Sequence, residues 1–150
     1  QEELDALLGD LLDHHVVIAG TPPFEGIRIN PDDLRRACEA QARGHLIHLR
    51  QGWIESSGHA HGLEELLERS VGPLRQVLSN LAQLHGEDPA DDAALAAFAQ
   101  RLAGMPEELI ASVLRLDRAP HQAHALVPRM ADYLAASERL WAFIDAWRAR

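Results

Sequence analysis

Leu34–Trp53, LRRACEAQARGHLIHLRQGW, is the stretch whose reading decides the fold. Leu34, Cys38, Ala42, Leu46, Leu49 and Trp53 recur every three or four positions, so at 100° per residue they make one apolar helix face. The residues in front supply a start signal. Asn30 can cap, Pro31 fits the first turn, and Asp32 and Asp33 favour the positive helix end. Ser56-Ser57-Gly58 ends the helix at Ser56 or Ser57. A second stripe on the same helix borders the apolar one: Arg36, Glu39, Arg43 and Arg50, with Ile47 and Ile54 between them.

Outward from this helix the chain is punctuated by Gly and Pro into further helical segments. Residues 2–13 have helical spacing at Leu4, Leu7, Leu8, Leu11 and Leu12, and His15–Ala19 reads as a strand or an extended exit. Gly20, Pro22, Pro23 and Gly26 exclude regular structure there. After a short His59–Gly62 loop, a second long helix is predicted over 63–85, kinked or split at Gly72-Pro73. Shorter helices follow at 91–103 and 107–117. The last helix is expected over about 123–148, with Pro128 in its first turns. Leu126, Met130, Tyr133/Leu134, Ser137, Trp141 and Ile144 keep near-heptad spacing along it. The predicted fold is all-α, a bundle of about five or six helices in a single domain over 1–150, with residues 1–30 as an N-terminal helix and irregular arm. Expected core anchors are Leu34, Leu46, Leu49, Trp53, Leu66, Leu74, Leu78, Leu81, Phe98, Leu134, Trp141 and Ile144.

Composition agrees with one helical domain. The 150 residues are 47% hydrophobic and 25% charged, with few aromatics. The net charge is −9, and all the basic residues are Arg. Residues 1–30 hold six acids against one Arg, 31–85 seven against six, and 86–150 ten against seven. This balance disfavours nucleic acid as a partner, because non-specific binding needs clustered positive charge. The single Cys38 allows no internal disulfide, and no apolar run reaches membrane-spanning length. A cytoplasmic setting is expected. The chain begins at Gln1 rather than Met, so a fragment of a longer protein is expected.

Nucleophilic and phosphate-binding motifs are missing: there is no G-x-S-x-G elbow, no G-x-x-x-x-G-K-[ST] loop and no G-x-G-x-x-G. Nine histidines invite a metal reading, through His45 with His48, His59 with His61, His121 with His124, and His14-His15. Zinc needs three or four convergent ligands, and neither HExxH nor a second Cys completes a set. No metal site is therefore expected. Arg43 and His48, with four residues between them, match the loose Arg…His spacing of HEPN ribonucleases, although Gly44 follows the Arg. The stripe Arg36–Glu39–Arg43–Arg50 is the candidate substrate-binding set, since Arg recognises anions well. Its plainer reading is a solvated face with intrahelical pairs such as Glu39–Arg43.

DHHVVIAGTPPFEGIRI, LRRACEAQARGHLIHLRQGWIE and LEELLERSVGPLRQVLSNLAQLHG, within Asp13–Gly86, together resemble the C-terminal helical region of a bacterial family of nucleotidyltransferase-domain proteins. Glu39, Arg43-Gly44 and Leu49-Arg50-Gln51 stand at matching positions. His45 replaces a frequent Lys and Ala42 a frequent Leu. The resemblance covers about half the chain. It implies a helical domain that packs on a nucleotidyltransferase catalytic domain, in cis or in trans, and helps to form the substrate pocket. That catalytic domain would carry a Gly-Ser loop and an Asp-x-Asp pair holding Mg and a nucleotide. This chain has neither motif, so no cofactor is expected in it and no catalytic residue is assigned. Two other functions fit the residues: a protein-interaction or homodimerisation module using the Ile-dotted stripe, and a HEPN-like ribonuclease.

Overall fold

The computed structural model describes residues 30–148, with side chains as far as Trp147. The helix expected over 2–13 and the arm over 14–29 lie outside the described residues. What is described is all-α: α1 (Pro31–Ser56), α2 (Ala60–Leu84), α3 (Asp92–Ala103), α4 (Glu107–Leu114), a single turn α5 (Ala123–Leu126) and α6 (Met130–Arg148). Three 3-10 turns, Arg115–Asp117, Pro120–Gln122 and Val127–Arg129, link the last elements.

Helix α1 begins as its sequence dictates. The Asn30 side chain accepts from the Asp32 N–H at 2.9 Å, and Pro31 occupies the first turn. It ends where Ser57 turns left-handed, φ 50°, its N–H donating to the Ile54 carbonyl. Helix α2 starts earlier than the sequence suggests. His59 is its N-cap residue, so the expected His59–Gly62 loop is largely the first helical turn. Of the kink or split expected at Gly72-Pro73, the split does not occur: α2 runs on through Pro73. Pro73 lacks an N–H, which removes one hydrogen bond. Gly72 lacks the Cβ that would otherwise crowd the ring. Pro128 acts differently. The ladder tightens to 3-10 spacing at Val127–Arg129, so the expected 123–148 helix is α5, a 3-10 turn and α6.

Helix α1 lies antiparallel to both α2 and α6. Gly52 meets Leu66 and Gln41 meets Asn80 on the α2 side; Arg35 meets Trp147, Arg43 meets Trp141 and Arg50 meets Glu138 on the α6 side. The core between them is sealed by Leu49, Leu67, Leu74, Leu78, Leu81, Phe98, Ile110, Tyr133 and Ile144. Of the expected anchors, Trp53, Leu66, Leu134 and Trp141 are only partly buried and pack on this core from outside it. Arg75, on α2, ties the second half of the chain to the first. It donates to Asp92 and Asp117 and, at 2.9 Å, to the Leu114 carbonyl, while Arg118 also reaches Asp92. Burial opposes the Arg75 charge, but the two carboxylates outweigh it and raise the guanidinium's pKa.

Candidate functional site

Helix α1 carries two separate surfaces, about a third of a turn apart at 100° per residue. The first is the charged stripe. Arg36 is exposed and pairs with Asp33. Glu39 is nearly buried and accepts from Arg43 at 3.2 Å. The Arg43 guanidinium also lies over the Trp141 ring of α6, 5.0 Å from its centre, in cation–π range. Arg50 donates to Glu138 of α6 at 2.9 Å. Arg43 and Arg50 are therefore anchored along the α1–α6 seam, and Ile47 and Ile54 stand between and beyond them. These two isoleucines, 49% and 78% exposed, are the exposed large hydrophobics among the described residues. Helical spacing alone puts the four charged residues on one stripe. It gives no signal for their partners on α6, because Arg50–Glu138 joins positions 88 residues apart.

The second surface is a cleft between α1 and α2 that the sequence reading did not single out. Two adjoining hollows, of about 260 and about 590 Å³, share His45, His48 and Pro73 in their walls. Below them lies a buried polar chain. The Tyr133 hydroxyl is 2.8 Å from Ser70 Oγ, which donates to the Leu67 carbonyl at 2.7 Å. His45 Nε2 is 3.1 Å from Ser137 Oγ, and the His45 and Tyr133 rings meet edge-on at 5.8 Å. Burial, assisted by the neighbouring His48 charge, holds the His45 pKa down at about 4, so the imidazole is neutral at pH 7. Burial likewise pushes Tyr133 above its ordinary value, partly offset by the Ser70 hydrogen bond. Cys38 is sealed in the core and pushed up to about 12, so it stays a protonated, inert thiol.

Arg43 and His48 do not come together within the chain. Arg43 is held at the α6 seam, and His48 lines the cleft on another side of α1. Four other histidines among the described residues are separately engaged: His85 Nδ1 is 2.8 Å from the Leu81 carbonyl. His59 Nδ1 is 2.8 Å from the Ser56 carbonyl, His61 is 3.2 Å from Glu65 and His124 is 2.7 Å from Glu64. Among the described residues no group of three or more His, Cys, Asp or Glu is placed to hold a metal ion. No helix among them is long and apolar enough to cross a membrane. Comparison with family models, curated proteins and solved structures returns no match to this chain.

Proposed function

We propose that this chain is a non-catalytic helical domain that seats a second domain on the outer face of α1. The observation that carries the reading is the pair of exposed isoleucines, Ile47 and Ile54, on one stripe beside arginines fixed to α6. Single exposed apolar residues are ordinary on a protein surface. Two on one helix face, flanked by pre-positioned Arg, have the make-up of an interface: an apolar centre with an Arg rim. The arginines are already held by Glu39, Trp141 and Glu138, so less side-chain freedom is lost on docking.

The resemblance of Asp13–Gly86 supplies the class of partner: a nucleotidyltransferase catalytic domain, in cis or in trans, which would bring the Mg and nucleotide chemistry. On this reading Arg36, Glu39, Arg43 and Arg50 border the shared substrate site, and the setting is the cytoplasm. Mixing the chain with the nucleotidyltransferase domain encoded beside or upstream of it tests this. A complex of one chain with one domain by light scattering, lost on Ile54→Arg, is expected. Absence of any such domain in the same gene or its neighbours would sink the idea.

A second copy of the chain is the other occupant that this face fits. Arg50 and Glu138 sit together on it, half exposed, and two-fold pairing could exchange them between copies. A concentration-dependent dimer abolished by Ile54→Arg, with no hetero-complex, would favour that reading.

A further inference from the structure

The larger hollow between α1 and α2 contains a glycine that folding does not require. Gly44 lies in the interior of α1, where glycine is unfavourable compared with alanine. A Cβ built on Gly44 meets nothing within 4 Å, and its backbone has no positive φ. Gly52, on the same helix, differs: its Cβ would fall 2.5 Å from Leu66 Cδ1, so close helix packing accounts for it. Gly72 has a local reason in Pro73 behind it. Gly44 has neither reason, and it opens onto the hollow of about 590 Å³.

Two further features converge there. His45 is 4% exposed, lines both hollows, and uses Nε2 on Ser137. Its Nδ1 has no hydrogen-bond partner among the described residues. Pro73, in the opposite wall, deprives the Arg69 carbonyl of its usual donor four residues on. The hollow therefore has the His45 imidazole in one wall and Pro73 in the other. Gln41 and Gln76 add amide groups, and no carboxylate or guanidinium lines it. Gln41, at one end of it, is held by Asn80 of α2.

We infer that this hollow is a binding site for a small, uncharged, planar heterocycle that carries both hydrogen-bond donors and acceptors. The ring lies along the bare α1 backbone at Gly44, a close approach that any Cβ would prevent. Its polar edge meets His45 Nδ1, whose neutral imidazole serves as donor or acceptor according to tautomer. A charged ligand finds no carboxylate or guanidinium to pair with and pays for desolvation. The site lies about a third of a turn around α1 from the docking face.

The test uses the full chain, nicotinamide as the uncharged planar probe, and nicotinate and cyclohexanecarboxamide as charged and non-planar controls. Amide NMR shifts at Gly44, His45, His48 and Gly72 should saturate with nicotinamide in the millimolar range or below, and with neither control. Gly44→Ala should raise Tm by roughly 3 °C, because it improves helix propensity in open space. It should weaken nicotinamide binding about 10-fold or more, the loss expected when a methyl group intrudes on a close contact. The stability readout shows that the variant folds, so lost affinity reports on the site. Unchanged affinity in Gly44→Ala, equal binding of nicotinate, or no saturable shift with nicotinamide overturns the inference.

Discussion

Acidification from pH 8 to pH 5 removes stability that His45 supplies in its neutral form. The imidazole is buried between α1 and α6, with Nε2 on Ser137 and its edge on Tyr133. Its ordinary pKa of 6.5 applies to the unfolded chain, and burial brings the folded value to about 4. As pH falls, the unfolded state takes up the proton first, while the folded state refuses it. The contribution is therefore complete above about pH 6.5 and is lost progressively as pH falls to about 4. Linkage gives a loss of about 2 kcal/mol between pH 8 and pH 5, rising to about 3 kcal/mol below pH 4. Urea unfolding followed by tryptophan fluorescence at several pH values measures it. Carboxylates also titrate in the lower part of this range, so the quantity that isolates His45 is the difference from His45→Gln. That variant keeps a polar group near Ser137 but cannot titrate. Its stability should fall less steeply between pH 7 and pH 5 than the wild type's, by about 2 kcal/mol. Parallel curves for the two proteins would refute the claim that His45 is buried and neutral.

Further perturbations separate the elements of the account. Arg75→Ala should destabilise by about 2 kcal/mol, because it leaves the Leu114 carbonyl and one side of Asp92 without a donor; the value allows for Arg75's partial exposure. Equilibrium denaturation checks this, and a change within error would demote the network to surface decoration. Tyr133→Phe should cost about 1 kcal/mol, since Ser70 keeps its bond to the Leu67 carbonyl. Gly52→Ala should destabilise by about 1 kcal/mol through overpacking against Leu66, the opposite sign to Gly44→Ala one heptad and a residue away. Thermal melts of the two glycine variants that moved in the same direction would undo the distinction drawn between them.

Local chemistry made much of the fold legible. The Asn30-Pro31-Asp32-Asp33 start, the Ser57-Gly58 stop and the spacing of Leu34, Cys38, Ala42, Leu46 and Leu49 depend only on neighbours in sequence. The two prolines show where local reading fails. Pro73 and Pro128 carry the same steric demand, yet α2 runs through one and the ladder becomes 3-10 at the other. Gly72 relieves the crowding in the first case, and Val127, a β-branched residue, does not in the second. The candidate stripe was readable as a set of positions, but its anchoring was not. Trp141 and Glu138 reach Arg43 and Arg50 only once α6 is laid along α1. The cleft was less visible still. Its signals were a glycine with no packing role and a histidine with one idle nitrogen, and both acquire meaning only when the facing helix is in place.

In the proposed function the Ile47–Ile54 face of α1 docks a nucleotidyltransferase-type catalytic domain. Hydrogen-exchange protection of α1, measured on the chain alone and mixed with any nucleotidyltransferase domain found encoded beside or upstream of it, is the measurement that decides this. Added protection is expected over residues 43–54 and the α6 segment around Glu138 and Trp141, abolished by Ile54→Arg, a surface change that leaves the melting temperature intact. Protection that is unchanged on mixing, or that survives Ile54→Arg, would contradict it.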